Sequence, residues 1–421
     1  MRERLLLIIN NEKKINFLIY GFGQSFNLLS PLIISPFIVA MCREEGLGKV
    51  GFGFAMALFL ILIVDYAFDV KGTKQVSENR NDNATLSSIL SVAIFTKLTL
   101  FFIALSFSLL AIFFIPFLYQ EKNLYLLSLT IVFAQVFNPI WFFQGLEKFK
   151  ILSLLNIFSK TTYVLLVFNF IRSSDDYILT NFFLGISSLF FNLLGILLLN
   201  KNFDIKINIP AFKAVSAIIK NDFTFCISQL FLSARQLSPL VLTGYFLGFT
   251  YAGQYKIIEQ IITLFRTYIQ VFLKFFYPSL CYQVVSNKFS AFIYWKKYTL
   301  YNFSLVFLSL VFIFLFSEKI LLFFHLNPSS ITAILPVFKM SLLISLLMSF
   351  SLPLEQFVLV LGKNRKYIAT TVFVTVLNIL LLLFFINYYQ LYAVIISMIV
   401  SEILFISLYF NGSFKNLKKV T

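Results

Sequence analysis

Runs of about twenty apolar residues, the length an α-helix needs to cross the hydrocarbon core of a bilayer, recur along the whole chain. Short segments rich in Lys, Asn, Asp and Glu separate them. Twelve runs can be traced, over residues 15 to 40, 47 to 69, 87 to 117, 123 to 145, 150 to 171, 177 to 200, 222 to 247, 251 to 282, 298 to 316, 331 to 361, 368 to 386 and 390 to 410. With 59% of residues apolar and 12% charged, lipid rather than water is the solvent for most of this chain. A membrane barrel would show segments of about ten residues with strict alternation of apolar and polar positions. The runs lack that alternation, and only helices otherwise satisfy every backbone group inside lipid. The expected fold is therefore an all-α polytopic membrane protein with about twelve transmembrane helices. Residues 1 to 14 are charged, but the run that follows is long and has no small-residue cleavage site, so it is expected to stay attached as the first helix.

Orientation follows from Lys and Arg in alternate loops, because cytoplasmic loops carry the excess. Arg2, Arg4, Lys13 and Lys14 begin one set, which ends with the three lysines of the tail and holds 22 basic residues in all. The opposite set, Arg43, Lys49, Lys122, Arg172 and Lys319, holds 5. That asymmetry predicts both termini in the cytoplasm and an even number of spans. The formal charge of +16 is then mostly this bias together with contact to anionic membrane lipid, and predicts no nucleic-acid partner.

Little in the chain suggests catalysis. Cys42, Cys226 and Cys281 have no metal or disulfide spacing, and the single histidine, His325, falls in an outer loop. No metal site and no catalytic constellation is expected. Every outer loop is about fifteen residues or shorter, too short for the catalytic domain that a membrane polysaccharide polymerase or ligase would carry.

A faint internal repeat is present. Ser30-Pro31-Leu32 leads to Val50-Gly51-Phe52, and Ser238-Pro239-Leu240 leads to Ala252-Gly253-Gln254. Each pair puts a proline in one helix and a glycine at the mouth of the next, where a bend is expected. The duplication predicts a six-helix lobe over 1–200, a basic cytoplasmic linker over 201–221 and a second six-helix lobe over 222–421.

Charges within the spans carry the functional reading, since each costs on the order of 2.5 to 3.5 kcal/mol near the bilayer centre unless it faces a cavity or a partner. Seven bases fall there (Lys97, Lys160, Arg235, Lys256, Arg266, Lys274 and Lys339) against five acids (Asp65, Asp69, Glu259, Glu355 and Glu402). At 100° per residue, Lys256, Glu259, Arg266 and Lys274 form one stripe within about 80°. Lys274 can snorkel to a headgroup layer, whereas Arg266, Arg235 and Lys160 lie near mid-span. Pairing with Glu259 or Glu402 accounts for some of these cations, and the excess of bases leaves others for an anionic ligand. A diphosphate suits such a lining, because Arg presents a planar fork to phosphate oxygens and Lys a point charge. The expected substrate-binding residues are Lys97, Lys160, Arg235, Lys256 and Arg266. An exporter of cationic drugs would want an acidic or apolar cavity and is the alternative.

Pro139, Ile140, Trp141, Phe142, Phe143, Gln144, Gly145, Leu146 and Glu147 follow Ala134-Gln135 in the fourth run. This stretch resembles the signature of the bacterial O-antigen and polysaccharide repeat-unit flippases. That family lies in the superfamily that also holds the multidrug and toxic-compound exporters, or MATE transporters. Asp65-Tyr66-Ala67-Phe68, Gly253-Gln254-Tyr255 and Leu361-Gly362-Lys363 are similar to further family positions, although the family usually has glycine where Ala67 stands. The resemblance implies a MATE-like, two-lobed transporter rather than an enzyme, in the bacterial inner membrane. Its cargo would be an undecaprenyl-diphosphate-linked oligosaccharide carried from the inner to the outer leaflet, the sugars in a wet cavity and the isoprenoid tail in lipid. It further implies no bound cofactor and coupling to a proton or sodium gradient through Asp65, Glu355 or Glu402, with Glu259 as a charge-pairing group. A polysaccharide polymerase and a chain-length regulator are the implied protein partners.

Overall fold

The computed structural model describes residues 2–414. Met1 and the tail lysines Lys415, Lys418 and Lys419 lie outside the described residues, as do the side chains of Arg2, Arg4, Lys13 and Lys14. Fifteen α-helices and no strand occur among the described residues. In chain order they are α1 (Arg2–Asp65), α2 (Thr73–Glu78), α3 (Asn83–Phe114), α4 (Pro116–Tyr119), α5 (Lys122–Val136), α6 (Ile140–Gly145), α7 (Phe149–Phe170) and α8 (Ile178–Phe203). There follow α9 (Phe212–Leu247), α10 (Phe249–Ser286), α11 (Lys288–Leu315), α12 (Ser317–Phe323), α13 (Pro328–Val360), α14 (Asn364–Tyr389) and α15 (Leu391–Phe414).

Nine helices among the described residues are long and apolar enough to cross a membrane, ten if the bent α9 counts as one span. Two features reconcile that number with twelve runs. The first candidate, Gly21–Asp65, is 45 residues long, enough for two crossings of about twenty residues, and its helix breaks at Arg43, whose φ of 64° and ψ of 179° are not helical. Helix α10, at 38 residues, is long enough, and it is the helix that carries Lys256, Glu259, Arg266 and Lys274.

The bends do not fall at the prolines. Pro31 and Pro36 lie inside α1, upstream of the break at Arg43. In α9 a 50° bend separates Phe212–Phe231 from Ser233–Leu247, upstream of Pro239. One turn after the proline, the Thr243 hydroxyl donates to Pro239 O at 2.6 Å, a side-chain bond of the kind that helps a membrane helix keep a proline.

The chain forms two compact units, Met1–Cys42 with Lys49–Leu230, and Arg43–Gly48 with Phe231–Thr421. Residues 201–221 thus belong with the first unit. In that unit α5 packs on α8 and α7 on α8. Asn181 of α8 donates to Val50 O at 3.0 Å and to Ser128 Oγ at 2.9 Å, spending both donors of its amide. Asp82 caps α3 by accepting from the amides of Ala84 and Thr85 and from the Thr85 hydroxyl. These bonds hold its carboxyl below the usual carboxylate range.

In the second unit α13 packs on α15, α10 and α11. Ser341, Ser345 and Ser349 form a buried stripe along α13, small residues that let helix backbones approach where lipid supplies no hydrophobic drive. A tighter contact joins residues 44–48 to the start of α10. A Cβ on Gly48 would lie 1.8 Å from Phe249 O, and one on Gly253 would lie 1.9 Å from Glu44 O. Beside them Gln254 Nε2 donates to Glu44 Oε2 at 2.6 Å. Both obstructions are backbone atoms and cannot rotate away. Gly48→Ala or Gly253→Ala should therefore lower the melting temperature of the detergent-solubilised protein by several degrees, an overpacking cost of about 1–3 kcal/mol. Ala at Gly21, where a Cβ meets nothing within 4 Å, should leave it unchanged.

Candidate functional site

The charged groups inside the spans divide by partner. In the first unit Lys97 Nζ of α3 lies 2.7 Å from Asp65 Oδ1 at the end of α1, with the lysine side chain 1% exposed. Gln135 Nε2 of α5 donates to the other carboxylate oxygen at 2.6 Å. The Lys97 ammonium also sits over the rings of Phe68 and Trp141, at 5.8 and 6.0 Å from their centroids. Charge, hydrogen bonds and ring faces all converge here, so this lysine is already satisfied.

Trp141 brings the signature stretch into the same place. Trp141, Phe142 and Phe143 are fully buried in one apolar cluster with Leu86, Leu90, Ile94 and Leu152. The indole fits against Gly72, where a Cβ would come within 2.8 Å of the ring, and Gly145 fits against Val76 at 2.7 Å. Thr73 Oγ1 donates to Trp141 O at 3.1 Å, and Arg80 donates to Gly145 O and to Glu147 Oε1 at 2.8 and 2.9 Å. Pro139 packs against Gly195 of α8, and Gln144 is exposed. The stretch clamps α2 to α6 and positions the Asp65–Lys97 pair. Its tryptophan and its one glycine, Gly145, are packing residues.

In the second unit Arg235 of α9 is ion-paired with Glu402 of α15, which is buried. Ser351 of α13 donates to the other Glu402 oxygen, and the guanidinium stacks 4.1 Å from the centroid of Phe405. Glu355 of α13 accepts from the Tyr367 hydroxyl of α14 and lies within electrostatic range of Arg235, Glu402 and Arg266. Tyr409, which shares a hydrogen bond with Thr371 at 3.0 Å, stacks on Tyr367. On α10, Lys256 Nζ pairs with Glu259 Oε2 at 2.7 Å, one turn away.

Two cations differ from these. Arg266 is partly buried and feels Arg235, Glu402, Tyr255 and Glu259, yet its guanidinium makes no hydrogen bond or ion pair among the described residues. Lys160 of α7, also partly buried, likewise has no acid or acceptor among them. One turn before it on the same face stands Asn156, 8% exposed, whose Nδ2 is a buried donor with no acceptor. Of the five expected substrate-binding cations, Lys97, Arg235 and Lys256 carry carboxylate partners, and Lys160 and Arg266 are left with donors to spare. Asn156 is neutral, so an inventory of charges did not find it. Its position four residues from Lys160 was the available signal.

Helices long and apolar enough to cross a membrane, with their charges sorted in this way, define a polytopic membrane protein. Over 95% of its length the chain superposes on a multidrug resistance MATE family transporter of the MOP superfamily solved in an inward-facing conformation, covering 96% of that chain with a TM-score of 0.75 at 15% identity. The chain belongs to the polysaccharide biosynthesis protein family, which it matches over residues 14–282. It is 23% identical over 283 residues to a protein of Escherichia coli (strain K12) named "Putative O-antigen transporter", a stretch that takes in 67% of this chain and 68% of the relative. A Shigella dysenteriae protein of the same name is 24% identical over 260 residues, 61% of this chain and 60% of that protein.

Proposed function

We propose that this protein is a flippase that carries undecaprenyl-diphosphate-linked O-antigen or polysaccharide repeat units from the cytoplasmic to the periplasmic leaflet of the inner membrane by alternating access, with both termini in the cytoplasm. The observation that carries this reading is two cations without a counter-ion among the described residues, Lys160 midway along α7 in the first unit and Arg266 midway along α10 in the second. A cation there without a counter-ion is costly, and a diphosphate supplies the missing oxygens. Family membership, the fold and the names of the two relatives support the same reading. Lys160 in the first unit, with Asn156 beside it, and Arg266 in the second are each proposed to meet phosphate oxygens of the cargo. Lys97, Arg235 and Lys256 are secondary contacts, available when their carboxylates release them. Those carboxylates, Asp65, Glu402 and Glu259, together with Glu355, are the candidates for coupling to a proton or sodium gradient. The polymerase and the chain-length regulator of the same glycan are the proposed neighbours.

Deleting the gene should leave the complete lipid-linked unit made but trapped in the cytoplasmic leaflet, with unchanged sugar composition. In reconstituted vesicles the purified protein should speed translocation of that lipid without altering its mass. A changed mass, or an incomplete sugar unit in the deletion strain, would replace the carrier by a glycosyl-transfer enzyme. Lys160→Met keeps the aliphatic stem and removes only the charge. It should leave abundance unchanged and slow translocation about ten-fold, on the order of 1.4 kcal/mol for one charge-assisted contact.

A further inference from the structure

Residues 204 to 211, between α8 and α9, fall in the basic segment expected to be a cytoplasmic linker, and the structure pins them in place. Asp204 ends α8 in the left-handed region at φ 51°, and the Ile205 amide returns to Leu199 O at 3.3 Å, a helix-closing bond. Ile205 is then buried, 1% exposed, among Leu86, Leu90, Ile94 and Leu199. From there the chain runs extended along α3. The Lys206 amide donates to Ser87 Oγ at 3.0 Å and the Asn208 amide to Ser91 Oγ at 2.9 Å. Two residues of extended chain advance about 6.6 Å and four residues of helix about 6 Å, so alternate amides of the strap meet every fourth residue of the helix. The serines supply partners that irregular backbone at this level of a membrane protein requires.

Pinned in this way, the strap turns apolar side chains outward. Ile209 is 87% exposed and Phe212 81% exposed, with Ile207 beside them at 43%. Lys201, Lys206 and Lys213 flank them and are all exposed, against one acid, Asp204, which lies 3.2 Å from Lys206. Large apolar groups set among lysines match the boundary between acyl chains and anionic headgroups, with the rings and branched chains in the former and the ammonium groups at the phosphates. We propose that residues 201 to 213 form a fixed membrane-interface strap that docks on anionic phospholipid, with Ile209 and Phe212 entering the acyl boundary and Lys201, Lys206 and Lys213 meeting the headgroup phosphates. This surface is independent of the cargo and of the cations at mid-span.

The test attaches bimane to Ile209→Cys or Phe212→Cys in a Cys281→Ser background, since Cys42 and Cys226 are buried. The full-length protein is reconstituted in vesicles of phosphatidylcholine and phosphatidylglycerol in which one lipid or the other is brominated at the same mole fraction. Blue-shifted emission is expected, with quenching by brominated phosphatidylglycerol at least twice that by brominated phosphatidylcholine. The combined replacement Lys201→Gln, Lys206→Gln and Lys213→Gln, all at exposed positions, should equalise the two lipids. A water-like emission untouched by either lipid, equal quenching with the lysines intact, or a preference that survives their loss would each overturn the proposal.

Discussion

Lys97→Met should destabilise the protein by about 3–5 kcal/mol, because it leaves Asp65 charged in a site sealed by Trp141 and Phe68. The lysine is 1% exposed and 2.7 Å from the carboxylate, so water cannot take its place without opening the cluster. Gln135 still offers its amide at 2.6 Å, which stabilises a carboxylate but does not neutralise it. Adding Asp65→Asn to Lys97→Met removes the orphaned charge and keeps an oxygen for Gln135, so the double variant should recover most of the loss. Thermal unfolding in detergent and abundance in membranes measure both steps, and the coupling follows from the double-mutant cycle. A Lys97→Met protein as stable as the parent, yet unable to support glycan display, would make Lys97 a primary rather than a secondary contact of the cargo.

Arg266→Ala should reduce surface-glycan display by about ten- to a hundred-fold, corresponding to roughly 1.5–3 kcal/mol for lost charged hydrogen bonds to phosphate, while the protein inserts at normal levels. No acid among the described residues is ion-paired with this guanidinium, which acts on Glu355, Glu402 and Glu259 only at longer range, so its removal breaks no salt bridge. Arg266→Lys keeps the charge without the fork and should be milder. Arg235→Ala is expected to behave differently, because it leaves Glu402 buried with only Ser351 as a donor. Abundance should fall, and Glu402→Gln in the same chain should restore it. Normal display with Arg266→Ala would remove the main support for a cationic cargo site.

How far the sequence could be read depended on whether the information was local. Apolar runs are local, and all twelve coincide with helices. The stripe on α10 was legible for the same reason, since one helix fixes the spacing of Lys256, Glu259 and Arg266. Partners across the fold were not. Asp65 lies 32 residues from Lys97 and Arg235 lies 167 from Glu402, and a tally of acids and bases cannot say which bases are left over. The signature around Trp141 was found by resemblance, but its physical work, Trp141 fitting against Gly72 and Gly145 against Val76, exists only once α2 and α6 meet. The segment after α8 looked like a linker because basic residues, Lys201, Lys206, Lys213 and Lys220, run through and around it. The serines that hold it are more than a hundred residues away, at separations of 119 and 117.

The two unpartnered cations have an electrical consequence. If the proposed cargo is carried, the empty carrier holds Lys160 and Arg266 as positive charge that a doubly negative diphosphate would offset. A transmembrane voltage does work on displaced charge, about 2.3 kcal/mol per elementary charge for each 100 mV. In the proposed cycle the voltage would therefore act on the return of the empty carrier far more than on the passage of cargo. An interior-negative membrane would draw the vacant cations back toward the cytoplasm, so the voltage would favour the resetting of the carrier.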